Sequence, residues 1–280
     1  MEIIELEKIA SQVRRDIVRQ VAAVSSGHPG GSLGCADFLT LLYFETLNHN
    51  PSNFTMDGIN EDVFYLSNGH ISPVWYSVLA RSGYFPVDEL NTFRKLSSRL
   101  QGHPSTDKNL PGIRMASGSL GQGLSCAIGT AEAKKLNQDK ALVYTLHGDG
   151  ELQEGQIWEA AIYAAANKVD NLIATIDYNG RQIDGDVDDV LSLGNLSQKW
   201  QAFGWEVLEM DGHNMAEMRT VLAKAKDLTG KGKPIVIIMK TEMGQGVDFM
   251  MGTHKWHGSA PNPEQLANAL GQLEETLGDY

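Results

Sequence analysis

Ile9, Val13, Ile17 and Val21 recur at four-residue steps, which predicts one apolar face of an opening helix. The segment SSGHPGGSLG that follows reads as a loop, and a second apolar helix is expected from about Ala36 to Leu47. Asp62–Ser67 (DVFYLS) predicts a short strand, followed by a helix from about Pro73 to Arg81. Phe93 to Ser119 is polar and glycine-containing, and reads mostly as loop. Leu120–Leu136 is rich in small residues and predicts a buried helix that starts inside a glycine cluster.

A regular alternation follows. Continuous apolar runs at Ala141–Leu146, Asn171–Asp177, Trp205–Met210 and Pro234–Met239 read as strands. Between them lie helical patterns at Gln156–Lys168, Asn195–Gly204 and Met215–Asp227, the second with an Asn cap and a Gly stop. Apolar strands separated by helices imply an α/β fold, a parallel sheet with helices on both faces. No repeat, low-complexity tract or linker divides the 280 residues, so a single domain over 1–280 is expected.

Composition narrows the function. A hydrophobic content of 42% with 21% charged residues is that of an ordinary globular protein. A formal net charge of −12 argues against a surface that tracks nucleic-acid phosphates, so an anionic ligand would have to be held locally. The two cysteines, Cys35 and Cys126, form no framework and suit a reducing cytosol. The charged N-terminus does not read as a signal peptide, and no apolar run approaches a membrane span. A cytoplasmic protein, off the membrane and off nucleic acid, is expected.

The chemistry begins at LHGDGELQEG, Leu146–Gly155, where an aspartate sits between two glycines just past a predicted strand. A glycine turn there can offer backbone N–H groups to a diphosphate, but Asp149 would repel it unless a cation stood between them. The next predicted strand ends in DYNGRQIDG and places Asn179 at the equivalent edge, 179 − 149 = 30 residues on. If the two strands are neighbours, a carboxylate and an amide oxygen face one point outside the strand ends, where open α/β sheets bind ligands. Such hard oxygen ligands suit Mg²⁺ or Ca²⁺. Either piece alone is more often a tight turn. Their pairing at this spacing favours a metal bridging to a diphosphate.

GDG, thirty residues and Asn resembles the thiamine-diphosphate signature, and GDGELQEGQIWEAA is similar to its transketolase version. SGHPGGSLG, LSNGH, GHP, GSLGQG, DYNGRQIDG, DGHN and KWHG agree in order along nearly the whole chain. The resemblance covers the family's first domain only, so it implies the N-terminal subunit of a split transketolase. A C-terminal subunit would supply the pyrimidine-binding domain, most simply in a two-plus-two heterotetramer. The implied reaction moves a two-carbon ketol unit between sugar phosphates with thiamine diphosphate and Mg²⁺ or Ca²⁺. Rivals are a 1-deoxyxylulose-5-phosphate synthase subunit, which SGHPGGSLG and KWHG fit less well, and a cofactor-binding subunit without turnover.

Six of the eight histidines flank a glycine: His28, His70, His103, His147, His213 and His257. By resemblance, His28 and His103 would contact sugar hydroxyls or the covalent intermediate, and His70 and His257 would lie by the diphosphate and reacting carbon. Asp149, Asn179 and the carbonyl of Arg181 would bind the metal. Gly118, Ser119 and Leu120 would meet the aminopyrimidine through backbone groups, and Gly150 the diphosphate. Glu154 matches a glutamate at the subunit contact near the cofactor's proton network; a solvated carboxylate at a helix N-terminus reads equally well. Position 181, often apolar in the family, is arginine here, with a side chain free to reach the partner subunit. His147 is expected to pack under the turn, His213 to order a loop, and His49 and His254 to lie at the surface. GQG at Gly244–Gly246 reads as a hinge or turn.

Overall fold

A computed structural model describes all residues from Met1 to Tyr280. Strands β1 (Val63–Leu66), β2 (Val143–Gly148), β3 (Leu172–Tyr178), β6 (Glu206–Asp211) and β7 (Ile235–Lys240) form one sheet in the order β1-β2-β3-β7-β6. All its pairings are parallel, as the alternation of apolar strands and helices predicts. A separate two-residue hairpin joins β4 (Arg181–Gln182) to β5 (Gly185–Asp186). The chain crosses the sheet from β1 to β3, jumps to the far edge at β6, and returns to fill the gap with β7.

Period-two alternation assigns each strand residue to a face. Phe64, Leu66, Tyr144, Leu146, Ile173, Ile235 and Ile237 join one core. That core is completed by helices α1 (Ile3–Ala23), α3 (Ala36–Leu41), α4 (Ser72–Arg81) and α9 (Met215–Leu228). Val63, Tyr65, Val143, Leu172, Ala174, Ile176, Val236 and Ile238 face the other way. There they meet α5 (Gln122–Leu136), α6 (Gly155–Ala166) and α8 (Leu196–Ala202). Helix α7 (Val187–Leu191) follows the hairpin, and α10 (Pro263–Gln272) lies on α1, where Arg15 donates to the carbonyl of Leu270 at 2.8 Å. Both faces of the sheet are thus covered, which is why the central strands read as unbroken apolar runs. No helix is long and apolar enough to cross a membrane.

Four local expectations need correction. Residues Pro29–Gly34, read as loop, form a short helix, α2, with proline at its first turn. Its glycines answer to packing: a Cβ on Gly30 would stand 2.6 Å from Met243, and one on Gly31 2.9 Å from Ile71. Helix α5 is only half buried. Leu124, Ala127, Ile128 and Ala131 meet the sheet while Cys126, Gly129, Ala133 and Leu136 are open. The second apolar helix ends at Leu41 and continues as a π-helical turn, Leu42–Thr46. His49 is no free surface residue, since its ring lies against Tyr84 and both its nitrogens are paired.

Helix α1 is buried beyond its predicted stripe, and ion pairs carry the polar side of that burial. Arg14 meets Asp37 in a two-pronged bond, and Arg81 meets Asp16 at 2.6 and 2.8 Å. The Asp16 side chain is fully enclosed. Burial raises its pKa, and Arg81 opposes that shift. Arg81→Met would leave this carboxylate unpaired, a loss of about 3–5 kcal/mol in urea unfolding. The double variant Asp16→Leu/Arg81→Met should lose distinctly less. A single-variant loss under about 1 kcal/mol would contradict the pairing.

Candidate functional site

Four strand ends converge on one cavity. The chain leaves β1 through Asn68 and His70, β2 through Gly148, Asp149 and Gly150, β3 through Asp177 and Asn179, and β7 through Met243. All of these line a cavity of about 300 Å³. In the β2–β3 register Gly148 lies beside Asp177, so Asp149 and Asn179 emerge side by side at the carboxyl edge. The Asp149 carboxylate accepts from the N–H of Gly150 at 2.7 Å and of Gly180 at 2.6 Å. Asn179 donates to Asp177 at 2.8 Å and accepts from the N–H of Arg181 at 2.9 Å. The hydroxyl of Thr241 donates to Asp177 from the neighbouring strand end. Gly180, at φ +73°, makes this a genuine Asn-Gly turn as well. Turn and site coincide.

The electrostatics are unbalanced. Asp149 is 1% exposed and Asp177 2% exposed. Burial, and then the charge of Asp177, pushes Asp149 up to about 7. Asp177 is raised too, chiefly by burial. Neither has a cationic partner: Arg181 lines the cavity but sends its guanidinium to Asp186 at 2.7 Å. Two buried carboxylates without a counter-charge make a place for a cation.

Four histidines cluster above them. His28 lies 5.1 Å from His70, 5.6 Å from His257 and 6.2 Å from His103, between ring centroids. Burial, with the charges of His257, Arg94 and His103 behind it, holds His28 down to about 4. Burial lowers His70, His103 and His257 as well. All four are therefore neutral near pH 7, each able to donate from one nitrogen and accept at the other. Gly118, at φ +120°, lets the ring of His103 close over its loop, because a Cβ there would meet that ring at 2.6 Å.

Of the residues singled out in the sequence, His28, His70, His257, Gly118, Leu120, Asp149, Gly150, Glu154, Asn179 and Arg181 share the cavity wall. His103 and Ser119 stand outside it and are exposed. Glu154 precedes α6 without a capping bond, its carboxylate open. His147 packs under the turn, its Nε2 2.8 Å from the Thr145 hydroxyl. His213 bridges Asp37 and the N–H of Glu242, and so holds the segment that carries Met243. Gly244 and Gly246 form a left-handed turn, with a bond from the Gly244 N–H to the carbonyl of Gly30.

The wall fits a metal-bound diphosphate. Buried polar atoms normally find partners, yet both amide atoms of Asn68 and the Nδ1 atoms of His28 and His257 have none. No three His, Cys, Asp or Glu side chains are arranged to hold a metal by themselves. One carboxylate with neutral oxygens suits a hard cation that takes its remaining ligands from phosphate and water. Sequence reasoning missed Asn68, Asp177 and Glu151. The first two end apolar strands within quoted motifs, a signal that was available. Glu151 gives none, since a glutamate directly after a glycine turn is ordinarily solvated.

Comparison with known proteins identifies the family. The family described as "Transketolase, thiamine diphosphate binding domain" matches residues 6–275. An apulose-4-phosphate transketolase subunit of Actinobacillus succinogenes is 40% identical over 274 residues, covering 97% of this chain and 96% of that one. The 6-deoxy-6-sulfo-D-fructose transketolase subunit SqwG of a Clostridium species is 38% identical, with 97% of each chain covered. The crystal structure of transketolase from Campylobacter jejuni superposes with a TM-score of 0.90 at 38% identity, over 98% of this chain and 43% of that one. The chain thus spans about two fifths of that solved enzyme but nearly the whole of the two subunits. It belongs to the transketolase family, as a member of the group of N-terminal subunits built on the thiamine-diphosphate-binding domain.

Proposed function

We propose that this chain is the N-terminal half of a two-chain transketolase that transfers a two-carbon ketol unit between sugar phosphates, using thiamine diphosphate and Mg²⁺ or Ca²⁺. The observation that carries the reading is the uncompensated pair Asp149 and Asp177 sharing one cavity with the neutral rings of His28, His70 and His257, with His103 6.2 Å from His28 at its rim. In this reading residues 1–280 act as one diphosphate-binding domain in the cytoplasm. A C-terminal subunit supplies the pyrimidine-binding half, in a two-plus-two assembly. The subunit names of the full-length relatives support that division.

Roles follow from position. Asp149, Asn179 and the Arg181 carbonyl would hold the metal, and the Gly150 N–H would meet the diphosphate. Gly118, Ser119 and Leu120 would present backbone groups to the aminopyrimidine. When bound, thiamine diphosphate supplies the electron sink that allows a carbon–carbon bond beside a carbonyl to break. His28 and His103 orient the sugar hydroxyls, and His70 and His257 lie nearer the diphosphate. Because these rings stay neutral, a nitrogen is free to take a hydroxyl proton and return it. Glu154, open at the cavity rim, would face the partner subunit.

Asp149→Asn removes a charge that the apo fold holds against burial and against Asp177. The expected outcome is loss of Mg²⁺-dependent thiamine-diphosphate binding in calorimetry with little change in Tm, because the relief of buried charge is offset by an NH₂ turned toward the N–H of Gly150 or Gly180. Wild-type cofactor affinity in this variant would remove Asp149 from the metal site. His103→Ala or His257→Ala should lower kcat by roughly 10²–10⁴-fold with little change in Tm. A residue whose variant keeps wild-type kcat and KM has a structural role only. The chain purified alone, saturated with cofactor and Mg²⁺, should show no ketol transfer and should gain it on adding the second subunit. Robust turnover by this chain free of any other polypeptide would overturn the two-chain reading.

A further inference from the structure

Glu151 is a buried carboxylate, 2% exposed, with no lysine or arginine partner. It sits in the short turn Gly150–Gln153, and three separate chain segments donate to it. One oxygen accepts from the N–H of Gly121 at 2.8 Å and from the Ser67 hydroxyl. The other accepts from the N–H of Gly148 at 3.1 Å. Ser67 in turn accepts from the N–H of Gly123 at 3.1 Å. His147 stands beneath, its Nδ1 3.6 Å from the same carboxylate.

The loops come this close only because of their glycines. A Cβ on Gly123 would stand 2.3 Å from the Ser67 hydroxyl oxygen, and Gly121 has a φ of +85°. Remove the carboxylate, and the buried N–H of Gly121 and the half-buried N–H of Gly148 lose their only acceptor. An acceptor-only group with two oxygens satisfies all three donors; a glutamine would turn an NH₂ toward one of them.

We propose that Glu151 is a positioning residue that couples the cofactor-facing loop Gly118–Gly121 to the turn Gly148–Gly150, fixing the spacing between two walls of the cavity. The proposal deepens the transketolase reading and rests on it for the identity of the ligand. Glu151 does not touch the reacting atoms. It acts through the backbone groups on either side of the cofactor, and its loss should weaken cofactor binding more than it slows the chemistry.

The test compares wild type, Glu151→Gln and Ser67→Ala. Amide hydrogen exchange is read on the ligand-free chain. Mg²⁺–thiamine-diphosphate affinity and kcat at saturating cofactor are read on the assembled enzyme. In Glu151→Gln the amides of Gly121 and Gly148 should exchange at least about tenfold faster, while those of Ile173 to Ile176 in the central strand keep their protection. The cofactor Kd should rise about tenfold or more, with kcat within about twofold of wild type. Ser67→Ala, which keeps the carboxylate, should deprotect Gly123 and raise Kd less. Unchanged exchange at Gly121 and Gly148, unchanged Kd in both variants, or general loss of protection across the sheet would each overturn the proposal. A wild-type enzyme that binds no thiamine diphosphate would instead sink the functional reading, and the exchange comparison would still decide the coupling.

Discussion

The site depends on the register in which β2 lies beside β3. That register sets Gly148 against Asp177, so the next residue, Asp149, emerges beside a second buried carboxylate. Two negative charges in a low-dielectric place repel, and burial penalises each of them. The fold tolerates the pair by giving it neutral donors from Gly150, Gly180, Asn179 and Thr241, with no basic side chain. A strained arrangement of this kind persists where it serves a ligand. A bound divalent cation would relieve it and could take its remaining ligands from a phosphate.

The histidines answer a different constraint. Rings gathered about 5 to 6 Å from His28 cannot all carry charge; burial lowers all four, and Arg94 adds to it at His28 and His103. A set of neutral imidazoles can exchange protons with hydroxyl groups, and it leaves the carboxylates below without a counter-charge. The carboxylates lie at the ends of β2 and β3 and His70 follows β1, whereas His28 precedes α2, His257 ends a short helical turn, and His103 lies in a loop.

Much of this was legible in the sequence because it is local. The strands announce themselves as apolar runs, since both faces of the sheet are covered. GDG and the later Asn mark strand ends thirty residues apart, which only a strand–helix–strand repeat makes adjacent. What was not legible depends on contacts between distant segments. Helix α2 was hidden because three glycines in six residues signal a loop until Met243 and Ile71 are seen packed against them. The open face of α5 was hidden because small residues suit burial and exposure alike. Glu151 was hidden because its partners lie at Ser67 and Gly121, far off in the chain, while its own neighbours suggest a solvated turn.

The central claim is that the strand-end carboxylate, the Asn179 amide and the Arg181 carbonyl form one face of a cation site shared with a diphosphate. Anomalous diffraction from crystals grown with thiamine diphosphate and Mn²⁺ in place of Mg²⁺ tests it most directly. The account expects one strong peak at about 2.0–2.3 Å from an Asp149 carboxylate oxygen, the Asn179 amide oxygen and the Arg181 carbonyl oxygen, with diphosphate oxygens completing the octahedron. A peak elsewhere, or a bound cofactor with no metal between it and Asp149, would contradict it.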